Sequence, residues 1–267
     1  MPRTVHLFVT CLVDLLYPEV GEATVALLRD HGLEVVFPRS QTCCGQPAFN
    51  AGFDDDARRV ARNLLDAMDG ADAVVTPSGS CAAMVRSHYP HLFHSTGDEE
   101  RARALGERTY ELSEFLVDVL GVEAMQGAWP GRVTYHDACH GLRELGLTVQ
   151  GRRLLSGLEG LELVEMARPD ACCGFGGTFS LRLPDVATAM ADDKIAQAEA
   201  TEATAVVAGD AGCLMHLAGR LSRTGSTLRP VHLATVLAEA AGLVPVRDRQ
   251  RTSAGPVPSP TPSESKG

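Results

Sequence analysis

The sequence predicts an α/β protein built as two tandem, pseudo-symmetric three-layer domains, each a parallel sheet covered by helices, with cysteine sites at the carboxyl ends of the strands. Three observations predict it. Short β-rich apolar runs alternate with amphipathic stretches of helical period; the alternation occurs twice; and eight cysteines fall in two matching sets of four. Cys11, Cys43, Cys44 and Cys81 recur as Cys139, Cys172, Cys173 and Cys213, at offsets of 128, 129, 129 and 132 residues. Scattered cysteines packing as small hydrophobes would hold no such register, so the chain reads as a duplication. At 267 residues it is long enough for two domains of roughly 100–150 residues. They are placed at 1–125 and 126–246, with a disordered tail at 247–267.

In the first half the apolar runs are Val5 to Thr10, Leu33 to Pro38 and Ala73 to Pro77. Helical patterns lie between them, from Asp14 to Asp30 and from Asp54 to Met68, and Asp54-Asp55-Asp56 suits a helix N-terminus. In the second half the runs are Arg132 to Asp137, Leu161 to Met166 and Ala205 to Gly209, with helices over Leu142 to Leu155 and Val186 to Ala200. Strands separated by 12- to 18-residue helices are βαβ units, and these make parallel sheets. Each half closes on a helix with a glycine stop, Leu112 to Gly121 and Val231 to Gly242. Gly97 to Arg108 reads as a charged loop or an exposed helical turn, and Gly121 to Gly131 as a linker. Beyond Arg247 the chain is Ser-, Pro- and Thr-rich with almost no apolar residues, the composition of a disordered tail.

Composition excludes several function classes. A net charge of −10 argues against nucleic acid or an anionic membrane surface as a partner, since both need a basic face. No apolar run approaches the ~18 residues of a spanning helix, and Met1 to Thr4 lead directly into a strand without a secretory signal, so the expected location is cytoplasmic. In a reducing compartment the cysteines are thiols or metal ligands rather than disulfides. No Walker loop, nucleophile elbow or dinucleotide fingerprint is present.

Placing the cysteines on this fold brings them together. Cys11, the Cys43–Cys44 pair and Cys81 each lie just past a strand, at the sheet edge where open parallel sheets bind ligands. Cys139, the Cys172–Cys173 pair and Cys213 do the same in the second half. Structural zinc usually takes cysteines two to four residues apart. Directly adjacent side chains diverge, which suits the several metal atoms of an iron–sulfur cluster better. Zinc and redox-active dithiols are the alternatives. Gly45 and Gly174 after each pair allow close backbone approach and N–H donation to sulfur.

The arrangement Cys-x31-Cys-Cys-Gly-x35-Cys, repeated as Cys-x32-Cys-Cys-Gly-x38-Cys, resembles the cysteine-rich CCG domain. That domain occurs twice in the cysteine-rich subunit of heterodisulfide reductase, in iron–sulfur subunits of glycolate oxidase and anaerobic glycerol-3-phosphate dehydrogenase, and in lactate utilization protein A. The resemblance covers Val5 to about Gly242. With Pro77-Ser-Gly-Ser-Cys81 and His136-Asp-Ala-Cys-His140, and with no ferredoxin-type module ahead, the chain looks most like the lactate-utilization members. The resemblance implies an iron–sulfur electron-transfer subunit, not active alone, in a cytoplasmic complex that oxidises L-lactate to pyruvate. It implies a [4Fe–4S] cluster in each half, or in one half with the other empty, and other lactate-utilization iron–sulfur subunits as partners. The small 2-hydroxy acid is then met at the level of the complex. A heterodisulfide-type thiol–disulfide reductase and a redox-silent zinc scaffold are the rival readings. The fullest family motif carries a fifth cysteine per domain where this chain has Ser78 and Asp210. Those two residues are read either as oxygen ligands or as helix caps.

Among other residues, His140 is the candidate catalytic group, as a proton relay or cluster-tuning residue beside Cys139. His136 is weighed equally between that role and a satisfied structural histidine. His216 is expected to face solvent, and His88 and His94 to lie on the surface. Gly174 to Thr178 reads as a tight turn at the site rather than an anion nest.

Overall fold

The computed structural model describes residues 2–246; the tail expected at 247–267 lies outside the described residues. Eight strands form two sheets. The first half contributes β1 (Thr4–Leu7), β2 (Glu34–Val36), β3 (Val74–Thr76) and β4 (Thr109–Glu111), and the second β5 (Ala128–Tyr135), β6 (Glu159–Leu163), β7 (Ala205–Ala208) and β8 (Arg229–His232). Their orders are β2-β1-β3-β4 and β6-β5-β7-β8, and every pairing is parallel. The two tandem α/β units are therefore topological copies.

β4 and β8 have no counterpart in the sequence reading. Unlike the equally short β2 and β3, Thr109-Tyr-Glu and Arg229-Pro-Val-His form no apolar run, and Pro230 sits where an edge strand tolerates a missing N–H. The helix expected over Asp14 to Asp30 is two, Cys11–Leu16 and Pro18–Asp30, because Pro18 cannot donate within a helix and instead starts a new one. Likewise Leu142 to Leu155 divides into Cys139–Glu144 and Gln150–Leu155 around Gly146 at φ 73°. The segment Gly97 to Arg108 is a helix, Glu99–Glu107, which buries Ala102 and Leu105. The expected linker is strand from Ala128 onward: Trp129 is buried and its indole donates to Glu239 Oε2 at 3.0 Å. Burial of that ring outweighs the Pro-Gly turn signal beside it.

The apolar core falls into three clusters, one of which joins the halves. One lies between the sheets and draws on both, with Val5, Leu27 and Phe115 meeting Trp129, Val133 and Leu237. The helix Leu233–Ala240 of the second half packs along Pro18–Asp30 of the first. A second core backs the first sheet under the helix Asp54–Ala67, through Ala57, Ala61 and Leu64, and a third backs the second sheet under Pro184–Glu199, through Ala191 and Ile195. Because the central core is shared, the two carboxyl edges are held face to face.

Candidate metal centre

In each sheet the two central strands send their crossovers to opposite sides, which opens a crevice at their carboxyl ends. Cys11 begins the helix that follows β1, and Cys81 lies in the helix that follows β3; Cys139 and Cys213 follow β5 and β7 in the same way. The adjacent pairs arrive on the longer loops after β2 and β6. Gln41 fixes the first of these loops, since its Oε1 accepts from Val9 N at 2.9 Å while its Nε2 donates to the carbonyls of Leu7 and Pro38 at 3.0 Å. Lys194 fixes the second from the helix Pro184–Glu199: its ammonium is fully buried and donates to the carbonyls of Arg168 and Pro169 at 2.6 and 3.2 Å. Neither anchor was visible in the sequence, where both read as ordinary polar residues.

The glycine after each pair is required by the backbone. Gly45 has φ 85° and Gly174 φ 90°, and a Cβ at Gly174 would stand 2.5 Å from the Ala187 carbonyl oxygen. The close approach seen at both glycines is to the carbonyl of a neighbouring helix, Ala57 for Gly45 and Ala187 for Gly174. N–H donation to sulfur is present, from Gly174 N to Cys172 Sγ at 3.4 Å. Ahead of Cys11, Thr10 holds φ 70° and ψ 151°, a conformation that costs a β-branched residue on the order of 1–3 kcal/mol and is typical of sites held under constraint.

All eight thiols are unpaired by disulfides and line one cleft of about 150 Å³. Adjacent cysteines diverge: Cys43 Sγ lies 3.6 Å from Cys11 Sγ, and Cys44 Sγ lies 3.5 Å from Cys81 Sγ. Hydrogen bonds from Cys11 and Cys44 hold the Cys43 thiol down to about 3, and Cys43 in turn pushes Cys11 and Cys44 up. In the second half, bonds from Cys139 and Cys173 hold Cys172 down to about 2, while Cys139 and Cys173 are pushed up by Cys172. Cys213 is lowered to about 7, first by Cys173. Each half therefore offers thiolate sulfur within a cluster of thiols. Soft anionic donors of this kind suit zinc or iron–sulfur chemistry, whereas magnesium or calcium would need oxygen.

Ser78 and Asp210 are helix caps. Ser78 Oγ accepts from Cys81 N at 3.3 Å, and Asp210 Oδ1 from Gly212 N at 3.0 Å. They also meet each other across the halves, where Asp210 Oδ2 accepts from Ser78 Oγ at 3.3 Å and from Ser80 N at 2.9 Å. His140 spans the same junction. Its Nδ1 is 3.5 Å from Cys139 Sγ and its Nε2 3.3 Å from Gln46 Nε2 of the first half. Gly174 to Thr178 forms a tight turn, and Phe175, Gly176 and Gly177 line the cleft.

The remaining histidines depart from expectation in part. His136 is buried, yet neither ring nitrogen has a hydrogen-bond partner, so it is not a satisfied structural residue. His216 is half-buried, with Nε2 3.2 Å from the Ala187 carbonyl. His94 lies exposed on the surface as expected, but His88 is half-buried and pairs with Glu144 of the second half at 2.9 Å. His232, unmarked in the sequence, is buried at the junction. Its Nδ1 accepts from Ala234 N and its Nε2 donates to the Pro77 carbonyl at 3.1 Å.

Comparison with known proteins agrees with the duplicated architecture. The model of the CCG cysteine-rich domain matches residues 5–86 and again 133–218. The chain is 49% identical to lactate utilization protein A of Geobacillus kaustophilus over 234 residues, 87% of this chain and 98% of the relative. It is 42% identical to lactate utilization protein A 2 of Bacillus cereus over 236 residues, 88% of this chain and 98% of that one. Among solved structures, a hypothetical protein from Helicobacter pylori shares the fold, with a TM-score of 0.61 at 12% identity over 91% of this chain; the chain spans about half, 49%, of that structure's length. With matching cysteine sets, two family matches and relatives aligned along nearly their whole length, the chain belongs to the double cysteine-rich CCG-domain family and, within it, to the lactate utilization protein A group.

Proposed function

We propose that this chain is an iron–sulfur electron-transfer subunit of a complex that oxidises L-lactate to pyruvate. One observation carries the redox part: eight free cysteines, drawn from two separate sheets, converge on a single cleft. The lactate part rests on the relatives' name. Cys11, Cys43, Cys44 and Cys81 would hold one cluster, and Cys139, Cys172, Cys173 and Cys213 the other. A [4Fe–4S] cluster bound there supplies one-electron transfer.

The chain's own residues set the conditions for it. The N–H of Gly174 points at a cysteine sulfur and stabilises negative charge there. His140, in contact with Cys139 and reachable from the cleft, can take up or give back a proton as charge at the site changes. Oxidation of lactate to pyruvate releases two electrons and two protons; the sequence carries no dinucleotide fingerprint, and on this reading the hydride step is assigned to another subunit. Among the described residues no helix is long and apolar enough to cross a membrane.

One observation favours zinc as the second reading. Sulfur separations of 3.5 and 3.6 Å are near the ~3.8 Å between two thiolates on a tetrahedral zinc with 2.3 Å bonds. The test is an anaerobic titration of the complex captured through this chain. Bleaching of iron–sulfur absorbance by L-lactate is expected; bleaching by dithionite alone would refute the lactate assignment, and a colourless complex would refute the redox one.

A further inference from the structure

The two halves are not equivalent in their donors. His136 follows β5, and its counterpart in the repeat, 128 residues earlier, is Phe8. Phe8 is fully buried in the apolar core of the first half. His136 is 1% exposed, so its ring is withdrawn from water to the same degree as that phenyl group. Burying an imidazole with neither nitrogen bonded forfeits its hydration with nothing in return, and most buried polar groups in folded proteins have a partner. The ring is aimed at sulfur: a nitrogen of His136, Cys173 Sγ and Cys213 Sγ all lie within 4.8 Å of one another.

From this geometry we infer that His136 is a metal ligand of the second half, which binds through a mixed imidazole–thiolate set with Cys173 and Cys213, while the first half binds through sulfur alone. The inference rests on the reading of the cleft as a metal site, and it holds for iron–sulfur or zinc. Imidazole is a good ligand for either metal beside thiolate, and coordination would satisfy a nitrogen that no hydrogen bond reaches. The consequence is directional. His136 is a donor added to a half that keeps all four cysteines; where the imidazole takes a coordination position from one of those thiolates, the ligand set loses one negative charge, and such substitution raises a cluster's potential. The second half is then the more oxidising of the two, and electrons run from the first half's side of the cleft to the second.

The test uses the full chain, purified anaerobically, as wild type, as His136→Phe, which restores the residue of the first half, and as His136→Gln. Thermal melts of each establish folding. With iron present, pulsed EPR of the reduced protein labelled with 15N-histidine should show a directly bonded histidine nitrogen that disappears in both variants. Their metal content should fall by the second half's share, and any centre retained should titrate at a lower potential. With zinc present, zinc-edge absorption should show nitrogen beside sulfur, lost in the same variants. Folded variants with unchanged metal content and no histidine nitrogen in the wild type would overturn the inference while leaving the metal reading intact. A chain that binds neither metal after reconstitution would overturn both.

Discussion

Glu111 is the buried carboxylate whose replacement should change the protein's pH response most. It ends β4 at the junction of the halves, 2% exposed. Its Oε2 accepts from Ser113 N at 2.7 Å, from Glu114 N at 3.2 Å, and from the Ser113 hydroxyl. Burial outweighs these bonds and pushes its carboxyl up from 4.5 to about 7. The unfolded chain therefore releases this proton near pH 4.5 while the folded chain keeps it to about pH 7. Over that window the folded state binds more protons, so the group's contribution to stability falls as pH rises. The interval from 4.5 to about 7, at 1.36 kcal/mol per pH unit, comes to about 3 kcal/mol. Glu111→Gln removes the titration and keeps an oxygen for the three donors, which all converge on one atom. Urea melts of wild type and variant, with reductant, from pH 4 to 8.5 give a difference curve. It should be nearly flat below pH 4.5, turn in the variant's favour up to pH 7, and level off with a total change of about 3 kcal/mol. Parallel curves over the whole range would refute the reasoning.

His232 should act in the opposite sense: burial lowers it from 6.5 to about 4, so its stabilising neutral form is lost as pH falls through that interval, and a wild type against His232→Asn comparison should diverge only on the acid side. Gly174→Ala forces a side chain into a left-handed backbone, about 1–2 kcal/mol by itself, and against the Ala187 carbonyl at 2.5 Å, whereas Gly45→Ala meets the Ala57 carbonyl at 3.0 Å; denaturant midpoints should fall further for Gly174→Ala. Lys194→Ala strips the partners from the Arg168 and Pro169 carbonyls and should cost on the order of 3 kcal/mol, with faster reaction of Cys172 toward a thiol reagent as its loop loosens; an unchanged rate would contradict the anchoring role.

How much of this was legible in the sequence depended on range. The duplication and the gathering of thiols were legible because cysteine is rare and its register survives insertion, and because strand–helix alternation dictates which sheet edge the loops occupy. The edge strands β4 and β8 were not, since Thr109 to Glu111 and Arg229 to His232 carry polar and proline residues where the other strands have an apolar run. Nor was the break at Pro18, where a single proline divides an apolar pattern that otherwise runs on. Trp129 was mistaken for linker because its partner, Glu239, lies 110 residues away. Still longer separations, 132 and 155 residues, hid the Ser78–Asp210 contact and the bond from His232 to Pro77, which exist only once the halves face each other. His136 was visible as a residue beside a cysteine, but its lack of any hydrogen-bond partner is a fact of packing, and only packing distinguishes a satisfied histidine from one left to find a metal.

The central claim is that each set of four thiols holds an iron–sulfur cluster. Iron, sulfide and zinc analysis of the anaerobically purified chain tests it most directly, alongside EPR of the oxidised and dithionite-reduced protein and paired Cys→Ser changes in each half. The account predicts a brown protein whose iron and sulfide fall in steps as Cys43 and Cys44, and then Cys172 and Cys173, are replaced. A colourless protein that carries zinc, and takes up no iron even on reconstitution, would contradict it.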